Sequence, residues 1–265
     1  MRQEGATGSS YPRLASDGGL TYVKVIGINP DVDSGTLPED VWTGAAVTPL
    51  YPFPAAAAAT EIVSDAAADA FPAGTGARTV FVQGLDAAGL PLEETVALAG
   101  VAPVGLVGVY FRINHVRVVT AGSVRGNVGN VSVRHPGPVT IAHVRAPAIA
   151  GQPGDGAALQ AIYTVPANAI APRLIGARAN VGHESAGAFM ELRILSRRLA
   201  APDQAIVTRD HLDLTTSATN IATLVYPLPI PLVPFQDIWW RALATDVNNL
   251  EPSCELDLLF SLAAP

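Results

Sequence analysis

One cysteine, Cys254, and one lysine, Lys24, are all that this chain of 265 residues holds of either type. With a single thiol no internal disulfide can form and a cysteine-based zinc site lacks ligands, so the fold has to stand by packing. Basic residues are in deficit, 16 against 23 acidic, for a formal charge of −7. A phosphate-neutralising surface requires the opposite balance, so nucleic acid is not expected as a direct partner. No uninterrupted apolar run reaches the length of a membrane span, and the opening "MRQEGATGSSYPRL" carries no apolar signal region. A chain with no membrane association and no signal peptide is expected. Aromatic residues make up only 6%, which weakens any reading as a carbohydrate-active protein built on aromatic and carboxylate clusters. Arginine in place of nearly all lysine, beside much Ala, Gly, Val and Pro, reads as the coding bias of a GC-rich genome.

What is present is core material. Apolar residues reach 49%, enough for folding, and the length favours two domains. Residues 1–19 are rich in Gly, Ser and scattered charge without a period, which predicts an extended N-terminal arm. "LTYVKVIGI" (Leu20 to Ile28) begins β-branched alternation, and "NPDVDSGTLPEDVW" is a turn-rich surface loop. Asp31, Asp33 and Asp40 in that loop lack the calcium-loop spacing and are expected to be solvated. The alanine-rich stretch from Ala55 to Phe71 predicts a short strand and then a helical turn near Ser64 to Ala70.

Alternation on both sides of "DAAGLP" makes Gly74 to Gly100 a hairpin, with Gly89 supplying a positive φ. "VGVYFRINHVRVVTAG" reads as one strand, with a bulge near His115. "HPGP", at His135 to Pro138, is the natural boundary. Five further strand-like segments follow: "ALQAIYTVPA", "RLIGARANV", "FMELRILSRRL", "VPFQDIWWRALAT" and "SCELDLLFSL". Short strands at this spacing with no long amphipathic helix predict an all-β chain of two antiparallel β-sandwich or jelly-roll-like domains. The arm covers 1–19, one sandwich 20–136 and a second, jelly-roll-like, 137–265.

Chemistry is harder to find. His115, His135, His143, His183 and His211 are scattered singly, outside any metal-ligand or triad spacing, and structural or surface roles are expected of them. "HES" at His183 to Ser185 places three adjacent groups that point apart. Glu93 and Glu94 fall on opposite faces of a strand and share no proton. The glycines of "GTGARTV" precede a strand rather than a helix, so they are not a phosphate loop. No catalytic, cofactor or metal residues are assigned.

Candidate contact residues are clearer. In "DIWWRA", Ile238 and Trp240 are expected to face a core while Trp239 and Arg241 face outward, either as an interface hot spot or as cover for a sandwich rim. "YPLPIPLVPF" (Tyr226 to Phe235) is an apolar run that its prolines, among them Pro229 and Pro231, keep out of a central strand; it should lie at an edge or against a neighbour. In the arm, Tyr11, Pro12 and Leu14 could dock on a partner, or the arm could stay disordered throughout. Trp42 or Trp239 would serve a glycan-binding protein.

"GTGARTVFVQGLDAAGLPLEETVALAG" followed by "FRINHVRVVTAGSVRGNVGNVSV" resembles a pattern in structural proteins of tailed bacteriophages, and the segments of the second half are similar to their companion module, although "LVPFQDI" replaces a more polar version. The resemblance spans Gly18 to Leu262 through loose, structural motifs. It implies a non-enzymatic virion protein, synthesised in the host cytoplasm, that decorates and stabilises the outer capsid surface. Its implied partners are the major capsid protein and, as a homotrimer, itself. A head-fibre or tail-associated protein that binds host-surface glycans is the alternative.

Overall fold

The computed structural model describes residues 20–263 except 36, 47, 183–187, 200–204, 217–220 and 247. Among the described residues all regular structure is β: β1 (Leu20–Ile28), β2 (Glu39–Asp40), β3 (Ala58–Ser64), β4 (Ala77–Leu85), β5 (Pro91–Ala97), β6 (Val104–Tyr110), β7 (Arg112–Ala121) and β8 (Val131–His135). After these come β9 (Val139–Val144), β10 (Ile162–Thr164), β11 (Ala169–Gly182), β12 (Phe189–Arg198), β13 (Val207–Thr215), β14 (Ile221–Pro231), β15 (Gln236–Ala244) and β16 (Glu251–Leu262). Every pairing between these strands is antiparallel. The all-β reading holds.

The chain forms two compact units, one from Met1–Leu50 with Gln160–Pro265, the other from Tyr51–Leu159. This corrects the division at His135 to Gly137. "HPGP" is only the turn between β8 and β9, with Gly137 at φ 93°. β1, expected to belong with its sequence neighbours, runs instead along the last strand, from Leu20 opposite Ser261 to Ile28 opposite Ser253. Alternation tells a strand which face to bury but not which strand to sit beside, so a local reading could not find this partner.

In the unit that holds both chain ends, the strands pair as a nested set: β1 with β16, β10 with β15, β11 with β14, and β12 with β13. That is one long hairpin rolled into two sheets, β1-β16-β11-β14 and β10-β15-β12-β13, with β2 beside β15. The result is a jelly roll. Period-two burial makes the core: Cys254, Leu256, Leu258 and Phe260 from β16 meet Met190, Leu192 and Ile194 from β12 and Ile238, Trp240 and Ala242 from β15. Burial pushes the Cys254 thiol well up, so it behaves as a small apolar side chain. The other unit interrupts the first connection of the roll. Trp42 and Gln160, just before and after the interruption, bridge each other, so the roll continues as if the insertion were a loop.

The inserted unit has sheets β6-β3-β8-β9 and β5-β4-β7. Ile62, Val131 and Val133 of one and Val80, Val82 and Val116 of the other are fully buried. The hairpin of β4 and β5 is as expected, with Gly89 at φ 75°. The register of β4 on β7 slips between Gln83, opposite His115, and Gly84, opposite Ile113, which is the bulge the alternation predicted. The single strand expected over "VGVYFRINHVRVVTAG" is instead two, β6 and β7, which separate at Phe111 and join different sheets. The alanine-rich stretch gives β3 and then a turn, closed by the bond from Asp69 N–H to Ala66 O at 3.1 Å.

Asp69 pins that turn. Its Oδ1 accepts from Ala77 N at 2.7 Å and Val128 N at 2.9 Å, and its Oδ2 from Gly129 N at 2.9 Å and the Ser64 hydroxyl at 2.7 Å. The glycines of "GTGARTV" belong to this arrangement: a Cβ on Gly76 would stand 2.0 Å from Asp69 Oδ1. Gly76 allows close approach to this carboxylate, and Gly74 to the backbone of Ala68 and Ala70.

Candidate interaction surface

β15 is buried on both faces. Its core side carries Ile238 and Trp240, as expected, and the Trp240 indole donates to Glu255 O at 3.1 Å. The other side carries Asp237, Trp239 and Arg241, and here the outward placement of Trp239 is corrected, because Trp239 is fully buried. Asp237, also fully buried, accepts from Thr164 Oγ1 at 2.6 Å and from the Arg197 guanidinium at 2.8 Å. Arg241 is half-buried. It donates through Nε to Asp40 at 2.7 Å and lies 5.8 Å from the Trp239 ring centre. Asp40 is therefore a buried ion-pair partner and not a solvated turn residue.

Trp42 is fully buried too, its indole donating to Thr48 O at 3.2 Å. Neither tryptophan is available to a glycan or a neighbouring subunit in this fold. The misplacement has a simple cause: alternation separates two faces of a strand but does not say whether the second face is covered. Tyr11, Pro12 and Leu14, and His183 with the "HES" triplet, lie outside the described residues.

The proline-rich run fares differently. Pro229 and Pro231 lie on β14, which has β11 on one side and forms the edge of its sheet, where residues without an N–H fit. Its alternation places Ala222, Leu224 and Tyr226 against the core, with the Tyr226 hydroxyl donating to Asp210 at 3.0 Å. Ile221, Val225 and Leu228 stay exposed, Val225 at 73% and Leu228 at 87%. Val225 could have been found from "IATLVYP", where the outward set is Ile, Thr and Val.

A second exposed edge belongs to the inserted unit. Between Ala59 and Glu61 of β3 the register on β6 jumps from Val109 to Gly105, so Leu106 to Gly108 bulge outward and Val107 is 94% exposed. The carboxylate of Glu94 seals the bulge, accepting from Val107 N and Gly108 N, each at 3.0 Å. Glu94 is thus a strand cap, while Glu93 faces Gln83 at 3.2 Å on the other side.

Among the described residues no group of three or more His, Cys, Asp or Glu side chains could hold a metal. His115, His135 and His143 are buried in the inserted unit, and His211 is exposed on β13. Burial lowers all three buried imidazoles. His115 is held at about 4, with Arg117 adding to the effect, and in His143 the charges of Asp65 and Asp155 oppose the shift.

No known protein family and no curated protein matches the chain. Among solved structures it is similar to an infectious bursal disease virus Gx strain structure at 11% identity, covering 96% of this chain and 75% of that one, with a TM-score of 0.25. It is also similar to the VP2 subviral particle of infectious bursal disease virus at 11% identity, covering 91% of this chain and 72% of that one, with a TM-score of 0.26. Likeness this low carries no argument about fold or role, and the jelly roll rests on its own strand order.

Proposed function

We propose that the chain is a non-enzymatic virion structural protein that binds the outer surface of a phage capsid and stabilises it, assembling as a homotrimer on the major capsid protein. The observation that carries this reading is the β14 edge, where Val225 and Leu228 stand in solvent on a strand that prolines stop from growing further. Exposed apolar side chains on a blunted edge suit a side-chain contact with a neighbour better than open-ended strand addition. The phage-like motifs supply the kind of neighbour, and a jelly roll is compatible with capsid work without implying it. Repetition over many symmetry-related sites would make a modest contact sufficient. The glycan-binding alternative loses its two tryptophans to the interior.

The test is cosedimentation of the full chain with undecorated capsids of the phage that encodes it, followed by cryo-electron microscopy. Saturable binding on the capsid exterior is expected, with occupancy lost in a Val225→Asp, Leu228→Asp variant that keeps its native circular dichroism. Absence of binding, or unchanged occupancy in that variant, overturns the reading.

A further inference from the structure

At one end of the jelly roll the inward faces of three strands turn polar. β12 continues its core positions Met190, Leu192 and Ile194 into Ser196 and Arg198, and β15 begins its own with Gln236. β13 adds Val207 and Arg209 beside a register break opposite Ile194 and Leu195. Together with Ala205 these residues line an open depression of about 320 Å³.

Its charge is unusual for a chain of net −7. Arg198 and Arg209 share the depression, and neither forms an ion pair with any described residue. Arg209 donates Nε to Ser196 Oγ at 2.7 Å and makes no other hydrogen bond among the described residues, which leaves its terminal nitrogens to a ligand. Burial first, and then the like charge of Arg198, lower the Arg209 guanidinium from its ordinary range, so the two cations feel each other. Gln236 supplies the independent sign. It is fully buried, and its Oε1 accepts from Val233 N at 2.9 Å, which fixes the amide so that Nε2 is the group left over. That Nε2 has no partner among the described residues. A buried donor without an acceptor costs about 1–3 kcal/mol, so its place in the wall of a cationic depression calls for an acceptor there.

We infer that this depression is a binding site for a phosphate-sized oxyanion, held by the guanidinium groups of Arg198 and Arg209 and by the Gln236 amide. Ser196 orients Arg209 through its Nε, so that the planar fork presents parallel donors to the ion. The inference is independent of the virion reading.

The probe is inorganic phosphate, titrated into the full chain by calorimetry at low ionic strength, with thermal unfolding followed in parallel and chloride at matched ionic strength as reference. Phosphate is expected to bind and to raise the unfolding midpoint above the chloride reference. Arg209→Ala should weaken binding about tenfold or more, the loss of a charge-assisted contact. Arg198→Glu changes an exposed side chain that has no ion pair or hydrogen bond among the described residues and so keeps the fold; it should abolish binding. Arg178→Glu, exposed on β11 in the other sheet, should leave binding as it was. Equal behaviour in phosphate and chloride overturns the inference. So does undiminished binding in Arg198→Glu, or an equal loss in Arg178→Glu, which would make the effect one of general charge.

Discussion

In the jelly roll the pair that closes the structure joins Leu20 to Ser261, almost the whole chain apart, whereas in the inserted unit β4 meets β5 and β8 meets β9 across short turns. The two units also hold their polar groups differently. The roll buries Asp40 and Asp237 opposite Arg241 and Arg197, while the inserted unit spends its buried carboxylate, Asp69, on backbone N–H groups and a hydroxyl. Long-range closure makes the roll dependent on its first and last strands and slow to form, whereas the insert completes its pairings, β3 with β8 included, within Tyr51–Leu159 and is self-contained.

The largest expected effect breaks the two apart. A fragment of residues 51–159 should fold alone, with dispersed amide resonances. A chain lacking residues 1–28 should lose the cooperative unfolding of the roll, since β16 is left without β1. An intact roll in that truncation would refute the nested closure.

Next in size, Asp69→Ala strands three backbone donors. It should cost the inserted unit about 3–5 kcal/mol, at about 1–3 kcal/mol for each buried donor left unmade and with partial relaxation toward water. Urea unfolding followed by amide resonances should show only the transition of 51–159 moving.

Acid should separate the units by a similar but smaller amount. A histidine held below its ordinary value takes up its proton in the unfolded chain before it does so in the folded one. Stability from His115 is therefore complete above pH 6.5 and drains as pH falls toward about 4. The loss should approach about 3 kcal/mol at the low end of that window. His135 and His143 shift in the same direction and add to it. The roll, which has no buried histidine among its described residues, should change less between pH 7 and 5, and His115→Gln should flatten the profile of the insert. Parallel acid loss in both units would remove the distinction.

Smallest is Glu94→Gln, which keeps one acceptor for two N–H groups and should cost about 1 kcal/mol. Faster hydrogen exchange at Val107 and Gly108, with the rest of the unit unchanged, is the readout.

Period-two burial was legible wherever a strand packs one face on a core: Val80 and Val82 in β4, Cys254 to Phe260 in β16, and Ile238 with Trp240 in β15. The prolines of β14 and the glycine of the β4–β5 turn announced an edge and a hairpin through backbone chemistry that any window of ten residues contains. Trp42, Trp239 and Asp40 were not legible, because what covers a second face comes from elsewhere in the chain.

The sequence by itself determined an all-β chain, the burial phase of most strands, the edge character of β14 and a fold that stands without disulfides. These follow from local sterics, alternation and composition, which need no partner to act. Only the tertiary structure decided that β1 closes on β16, that the Tyr51–Leu159 unit is an insertion, that two tryptophans are interior, and that Arg198, Arg209 and Gln236 share one depression. Each of these is a choice of neighbour, and antiparallel strands of equal alternation are interchangeable neighbours until the whole chain has closed.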